Sequence, residues 1–192
     1  MISKKIPKNK IATIWLSGIT ASGKTTLGKL LYSRLKFFGI ENIKFFDGED
    51  LRELLVKKYG HSLNERFKVL KEYIKIVKKE NNKGNIVIIS TVSHKQKMRE
   101  MARDQLINFM EINLICDPQI CAIRDYKNIY NKIDEKSNEC LPGVTESYEI
   151  SDSPELLLNT ADHSIEDSGN ILLQNVLKII FEIDVDITAL HN

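Results

Sequence analysis

The stretch Ile11-Ala-Thr-Ile-Trp-Leu-Ser-Gly-Ile-Thr-Ala-Ser-Gly-Lys-Thr25 decides the fold. It starts as a short apolar run rich in β-branched residues, ends in the pattern GxxxxGK[ST], and is followed by leucines at helical spacing. A buried strand, a glycine-rich turn and a helix in this order form a phosphate-binding loop, because backbone N–H groups and the helix N-terminus converge on phosphate oxygens. The stretch therefore predicts a nucleoside-triphosphate site.

The residue types in this loop have separate expected roles. The glycines permit the tight turn, the Lys24 ammonium reaches the β- and γ-phosphates as a catalytic group, and the Thr25 hydroxyl ligates Mg²⁺. We therefore predict ATP and Mg²⁺ as cofactors. The predicted nucleotide-binding residues of the loop are Gly18, Thr20, Ala21, Ser22, Gly23, Lys24, Thr25 and Thr26.

Short apolar runs alternate with helical patterns along the rest of the chain. The predicted strands are Ile11–Ser17, Ile43–Phe46, Ile86–Thr91 and Ile112–Cys116. The predicted helices contain the stripes Leu27–Leu35 and Phe67–Val77, the segment from Asp117-Pro118 to Arg124, and Ile171–Phe181. Continuous β-branched strands between helices indicate a three-layer α/β fold, with a parallel sheet flanked by helices in the manner of P-loop kinases.

Length and composition favour one domain spanning residues 1–192. The chain has 192 residues, 42% of them hydrophobic, and no apolar run long enough to span a bilayer. Residues 1–10 form a basic extension without an apolar signal core, so we expect a cytoplasmic protein with no membrane partner. The segment of about residues 126–154 lacks a clear period, which is typical of a functional loop, here a lid and acceptor loop.

Charge is unevenly distributed between the two halves of the chain. Residues 1–96 contain 20 Lys and Arg against 8 Asp and Glu, whereas residues 97–192 contain 8 against 18. The basic half is expected to lie near an anionic ligand. No basic helix with interleaved aromatic residues is present, so we predict a small phosphorylated substrate and no nucleic acid.

An acidic residue follows the second predicted strand. Asp47 stands at its carboxyl end, where open α/β sheets bind ligands. It could accept the proton of an acceptor hydroxyl, help to hold the metal, or merely cap the next helix. Asn131-Lys-Ile-Asp134 matches the guanine-reading pattern NKxD, but the residues before it are too polar for a buried strand. A small-molecule kinase is therefore favoured over a GTPase.

The chain resembles the adenylylsulfate kinases, which phosphorylate the 3′-hydroxyl of adenosine 5′-phosphosulfate (APS) with MgATP. The likeness extends from about Thr13 to Ile180. Besides the phosphate-binding loop, it rests on Asp47-Gly-Glu-Asp-Leu-Arg52, Gly60–Arg66, Ser93 with Arg99 and Arg103, Arg124–Tyr130, Gly143–Glu149 and Pro154–Thr160.

The resemblance implies roles for individual residues at the matching positions. Asp47 would be the general base or would orient the acceptor hydroxyl, and Arg124 would lie against the adenine of ATP. Lys127 and the loop to Glu139 would form a mobile lid. Because family members are commonly dimeric, a homodimer is also implied. The implied substrate-binding residues are Asp47, Arg52, His61, Arg66, Val69, Ser93 and Lys127.

Several acceptor-side positions depart from the family pattern. Val69 stands where an Asn is expected to bind the acceptor, Lys71 stands for an Arg, and His61 for an aromatic residue. His94-Lys-Gln96 replaces the usual Pro-Tyr-Arg after Ser93. Loss of a buried polar contact can change discrimination between substrates by about 10⁴-fold. Three hypotheses stay open: an APS kinase, a similar kinase for another nucleotide such as cytidine diphosphoramidate, and a non-catalytic ATP-binding module.

Overall fold

A single parallel sheet organises the chain in the computed structural model, which describes residues 7, 9–130 and 141–184. The strand order is β2-β3-β1-β4-β5, and every neighbouring pair is parallel. The strands are β1 (Thr13–Ser17), β2 (Ile43–Asp47), β3 (Ile86–Ser90), β4 (Phe109–Ile115) and β5 (Leu156–Asn159). All their carboxyl ends therefore lie along one edge of the sheet.

Helices cover both faces of this sheet. They are α1 (Lys24–Phe37), α2 (Gly48–Leu54), α3 (Leu63–Asn82), α4 (Gln96–Arg103), α5 (Pro118–Arg124) and α6 (Ile165–Ile180). Alternation along β1 separates the two faces: Ile14 and Leu16 pack with residues of α1 and α6, whereas Trp15 packs with residues of α3 and α4. This arrangement confirms the predicted three-layer α/β fold.

Several strand and helix boundaries differ from the sequence prediction by one or two residues; β1, for example, begins at Thr13 instead of Ile11, and β3 ends at Ser90 instead of Thr91. Two larger differences have local reasons. β4 begins at Phe109 instead of Ile112, because Phe109 and Met110 already pair with β1. α6 begins at Ile165 instead of Ile171, because the Ser164 hydroxyl caps the helix by accepting from the Asp167 N–H at 3.0 Å. The capping pattern Ser-x-x-Asp was present in the sequence and marks this start.

β5 was absent from the sequence prediction. It contains only Leu156–Asn159 and pairs with β4 at the edge of the sheet. Four residues are too few for a periodicity to be recognised, so its partner strand defines it rather than its own sequence.

The segment of residues 126–154 is irregular where it is described. Neither residues 126–130 nor residues 141–154 contain a β-strand or an α-helix of the sheet scaffold. Residues 131–140, which include the NKxD-like pattern and most of the predicted lid, lie outside the described residues. Across the described ranges, no helix combines the length and apolarity needed to cross a membrane.

Candidate active site

The loop between β1 and α1 turns so tightly that it requires glycine. At Gly18, φ is +150°, and an added Cβ would lie 2.6 Å from Ser22 Oγ and 2.7 Å from the Leu114 carbonyl oxygen. Gly23 has φ +96° and begins α1 as its N-cap. Both values lie where L-amino acids are strained, so the loop shape depends on these two glycines.

The Lys24 side chain lies folded inside this loop. Its Nζ donates to the Ile19 carbonyl oxygen at 2.6 Å. Burial lowers the pKa of Lys24 from its usual 10.5 to about 8, and the nearby carboxylates of Asp47 and Glu49 act in the opposite direction. A desolvated ammonium next to backbone N–H groups is a strong site for a phosphate anion.

The Thr25 hydroxyl forms a hydrogen bond with the Asp47 carboxylate next to the phosphate-binding loop. Thr25 Oγ1 donates to Asp47 Oδ2 at 2.5 Å, although the residues are 22 positions apart in sequence. The other carboxylate oxygen, Oδ1, accepts from the Glu49 N–H at 2.9 Å and caps α2. Asp47 thus does cap a helix, as one interpretation held, but its second oxygen faces the phosphate-binding loop.

One cleft of about 1010 Å³ lies along the carboxyl edge of the sheet. It brings together nearly all the residues predicted from the sequence: Thr20, Ala21, Gly23, Lys24, Thr25, Thr26, Asp47, Arg52, His61, Arg66, Val69, Ser93, Arg124 and Lys127. Gly18 and Ser22 do not line it. Ser22 is buried beneath the loop with its side chain beside Gly18, so both residues shape the turn from behind.

Two arginines lie at the end of the cleft formed by α2 and α3. Arg52 Nη2 donates to the carbonyl oxygens of Tyr59, at 2.9 Å, and of Gly60. Arg66 Nε donates to the His61 carbonyl oxygen at 3.0 Å. Backbone carbonyls of residues 59–61 therefore place both guanidinium groups on one wall, next to His61.

Val69 and Ser93 lie at the same end of the cleft as Arg52 and Arg66 and are, respectively, an apolar and a polar part of its lining. Val69 lies on α3 and is only 3% exposed, so it presents an apolar surface and no hydrogen-bonding group to the cleft. Ser93 follows β3 and adopts φ +36°, an unusual value for a residue other than glycine.

Arg124 lies at the opposite end of the cleft. Its Nη1 and Nη2 donate to Thr160 Oγ1 at 3.3 Å and to the Thr160 carbonyl oxygen at 3.1 Å. Thr160 Oγ1 in turn donates to the Ser22 carbonyl oxygen at 3.0 Å. The residue after β5 thus connects α5 to the phosphate-binding loop.

Lys127 spans the cleft mouth. Its ammonium pairs with Glu49 in the first turn of α2. Glu49 follows β2 and Lys127 follows β4 and α5, and β2 and β4 lie on opposite sides of β1, so this ion pair joins the two flanks of the cleft.

Sequence reasoning assigned no role to three further residues that shape the cleft. Tyr73 donates its hydroxyl to the Gly48 carbonyl oxygen, and Tyr130 donates to the Thr20 carbonyl oxygen at 2.9 Å. His94 is 1% exposed and pairs through Nε2 with Glu146 at 3.2 Å. These contacts join segments far apart in sequence and follow no local pattern, so only the tertiary structure could find them.

The oxygen pair at the cleft mouth fits a magnesium ion. Mg²⁺ prefers a carboxylate or hydroxyl oxygen together with substrate phosphates and water. Thr25 Oγ1 and Asp47 Oδ2 lie within hydrogen-bonding distance of each other next to the phosphate-binding loop. No group of three or more His, Cys, Asp and Glu that could hold a metal by itself occurs within the described ranges.

Residues 10–159 match the family described as adenylylsulphate kinase. The chain belongs to this family. Membership makes it a phosphotransferase of the P-loop kinase type and agrees with a phosphate-binding loop that faces an acidic residue across one cleft.

Curated relatives within the adenylylsulphate kinase family carry two kinds of name. The cytidine diphosphoramidate kinase of Campylobacter jejuni is 30% identical over 169 residues, which cover 88% of this chain and 98% of that protein. The probable adenylyl-sulfate kinase of Archaeoglobus fulgidus is 31% identical over 147 residues, covering 77% and 94%.

A solved structure from the family shares the fold. The Mycobacterium tuberculosis APS kinase CysC in complex with AMPPNP and APS superposes with a TM-score of 0.79 at 26% identity, covering 87% of this chain and 98% of that one.

Proposed function

We propose that this protein transfers the γ-phosphoryl group of ATP to the 3′-hydroxyl of adenosine 5′-phosphosulfate. The observation that carries the proposal is the approach of Thr25 Oγ1 to Asp47 Oδ2 at 2.5 Å. It joins the triphosphate site to a carboxylate that can face an acceptor hydroxyl. The adenylylsulphate kinase family, and a structural relative bound to AMPPNP and APS, support the same donor and acceptor.

The nucleotide end of the cleft would bind ATP. The Lys24 ammonium, released from the Ile19 carbonyl, would contact the β- and γ-phosphates, and Arg124 would lie against the base. Phosphoryl transfer depends chiefly on positioning and on charge neutralisation, so a desolvated cation at this point stabilises the transition state.

Magnesium would be held by Thr25 Oγ1 and Asp47 Oδ2 together with phosphate oxygens. When bound, the ion would supply positive charge to the phosphate oxygens and fix their geometry. The hydrogen bond between Thr25 and Asp47 would then be replaced by contacts to the ligands.

The acceptor end would bind the phosphate–sulfate group and present the hydroxyl. The guanidinium groups of Arg52 and Arg66 lie on one wall and can each hold two anionic oxygens. Asp47, between the two ends, would orient the acceptor hydroxyl and take its proton as the phosphoryl group is transferred. The Lys127–Glu49 ion pair would part to admit both substrates.

A second acceptor is favoured by one observation. Val69 is buried in the cleft wall at a position where the family pattern has an Asn that contacts the acceptor. The Campylobacter jejuni relative, named a cytidine diphosphoramidate kinase, is aligned over 88% of this chain. Cytidine diphosphoramidate is therefore the alternative acceptor for the same chemistry.

Steady-state kinetics with MgATP and each acceptor separates the hypotheses. We expect ADP release to depend on APS, and a higher kcat/KM for cytidine diphosphoramidate would instead assign the alternative. Lys24→Ala should lower turnover by orders of magnitude through lost charge stabilisation. ATP binding without turnover of either acceptor would identify a non-catalytic module.

A further inference from the structure

Arg99 is a buried cation directly behind the acceptor end of the cleft. It lies on α4 and is 0% exposed. It does not line the cleft, although Ser93 and His94, the residues in front of it, do. Arg99 therefore has no direct contact with a substrate in the cleft, and any effect it has on the reaction acts through the chain segments that it holds.

The Arg99 guanidinium binds two separate segments of backbone. Its Nη1 donates to the Ser93 carbonyl oxygen at 2.7 Å, and its Nη2 donates to the Glu149 carbonyl oxygen at 2.6 Å. Nη2 also donates to Gln96 Oε1 at 2.8 Å. One side chain thus fastens the loop after β3 to the segment of residues 141–150 that precedes β5.

The charge of Arg99 is balanced inside the protein. Its Nε lies 2.9 Å from Glu111 Oε1 on β4, and the Glu111 side chain is only 3% exposed. The Tyr148 ring lies 5.5 Å from Arg99 Cζ. The paired carboxylate and the ring beside it restrict the orientation of the planar guanidinium, and thereby restrict the positions of both bound carbonyls.

The loop that Arg99 holds is in a strained conformation. Ser93 has φ +36°, which residues other than glycine rarely adopt and which persists only when the surroundings enforce it. The Arg99 bond to the Ser93 carbonyl supplies such a restraint from behind. On the outer side, the Glu149 N–H donates to the His94 carbonyl oxygen at 2.9 Å, which fastens the same two segments a second time.

We infer that Arg99 is a positioning residue for the acceptor nucleotide. It fixes the Ser93–His94 wall of the acceptor end through its two backbone contacts, and within the described residues none of its hydrogen bonds or ion pairs reaches the phosphate-binding loop. The inference rests on the proposed function, because it assigns this end of the cleft to the acceptor. Loss of the planar guanidinium group should weaken acceptor binding and leave ATP binding unchanged.

The test is to measure the kinetics of the Arg99→Lys variant. The lysine keeps a cation opposite Glu111, but its single ammonium group cannot reach the carbonyl oxygens of both Ser93 and Glu149. We expect the KM for the acceptor to rise by about tenfold or more, as for the loss of a charged hydrogen bond, and the KM for ATP to stay within about twofold. Arg103→Lys is the matched control, because Arg103 lies one turn later and pairs with Glu155 and Glu111 rather than with the loop. Its acceptor KM should stay within about twofold.

A second, milder variant distinguishes a positioning effect from a folding defect of Arg99→Lys. Gln96→Ala removes one partner of Arg99 at a partly exposed position, and we expect the same selective rise in acceptor KM by a few-fold. An unchanged acceptor KM in both variants, or equal changes for ATP and acceptor, would overturn the positioning role.

Amide hydrogen exchange provides a readout that needs no turnover. In Arg99→Lys, amides of residues 91–96 and 141–150 should exchange faster, while those of residues 18–26 should match wild type. Unchanged exchange at residues 91–96 contradicts the inference. Absence of wild-type turnover with either acceptor would instead contradict the proposed function, so the two failures are distinguishable.

Discussion

The surroundings of Lys24 disfavour the charged form of its side chain. Burial lowers the pKa of its ammonium to about 8, and the ammonium donates to the Ile19 carbonyl oxygen. A triphosphate would favour the charged form much more than the Ile19 carbonyl does. Nucleotide binding and protonation of Lys24 are therefore coupled.

This coupling predicts proton uptake on nucleotide binding at alkaline pH. With a pKa of about 8 in the free protein, Lys24 is mostly neutral at pH 8.5 and becomes charged in the complex, so about three quarters of a proton should be taken up. At pH 7.0 the uptake should fall to roughly a tenth of a proton. Calorimetric titration in buffers of different ionisation enthalpy measures it. Equal uptake at both pH values would contradict the lowered pKa.

Asp47→Asn separates catalysis from helix capping. Asn is as good an N-cap as Asp, so the melting temperature should stay within a few degrees of wild type. The charge and the proton acceptor are lost, so kcat should fall by about 10²–10⁴-fold, with a smaller change in ATP affinity. Turnover assays and thermal melts measure both effects. Wild-type turnover in this variant would leave Asp47 with only its capping role.

At the scale of elements, helix α1 packs unusually close to the sheet. A Cβ on Gly28 would lie 2.6 Å from Phe45 Cε2 and 3.0 Å from Ser90 Oγ. The helix that presents Lys24 and Thr25 thus rests directly against β2 and β3. This close approach keeps the phosphate-binding loop near Asp47 at the end of β2.

Gly28→Ala should therefore destabilise the protein despite the higher helix propensity of Ala. Overpacking costs about 1–3 kcal/mol, against roughly 1 kcal/mol gained in propensity, so we expect a net loss in the free energy of unfolding. Urea denaturation measures it, with Ser33→Ala on the exposed face of α1 as the control. A stability equal to that of the control would mean that the Phe45 ring moves aside at no cost.

Elements with local signals could be predicted from the sequence, and those defined by partners could not. The strand before Gly18 and the helix after Gly23 carry a glycine pattern and an apolar period, so β1 and α1 were expected. β5 is defined by its pairing with β4. Arg52 and Arg66 were expected from a family pattern. The roles of Thr160 and Tyr130 could not be predicted, because their partners in the phosphate-binding loop lie 138 and 110 positions away in sequence.

At the scale of the whole molecule, a buried histidine connects the loop after β3 to the segment before β5. His94 pairs with Glu146, which also binds Lys95 at 3.0 Å. Burial lowers the pKa of His94 below 6.5, with Arg66 contributing in the same direction and Glu146 opposing it. His94 is therefore neutral in the folded protein near pH 7.

The lowered pKa of His94 predicts a loss of stability in mild acid. As the pH falls below about 6.5, the unfolded chain binds a proton at this residue before the folded protein does, so the free energy of unfolding decreases. Urea denaturation at pH 7.5 and 5.5 should show a smaller decrease in His94→Gln than in wild type. Identical pH dependence in the two proteins would show that His94 does not contribute.

The strand order has a consequence for engineering this enzyme. The ATP-facing loop follows the central strand β1, whereas Asp47 and the Ser93 loop follow β2 and β3 on one flank only. Under the proposed function, sequence changes confined to that flank would alter the choice of acceptor nucleotide and leave the ATP site unchanged. Because Arg99 and Glu149 hold the loop after β3, an exchange of residues 59–71 and 91–96 between relatives should include residues 141–150 as well.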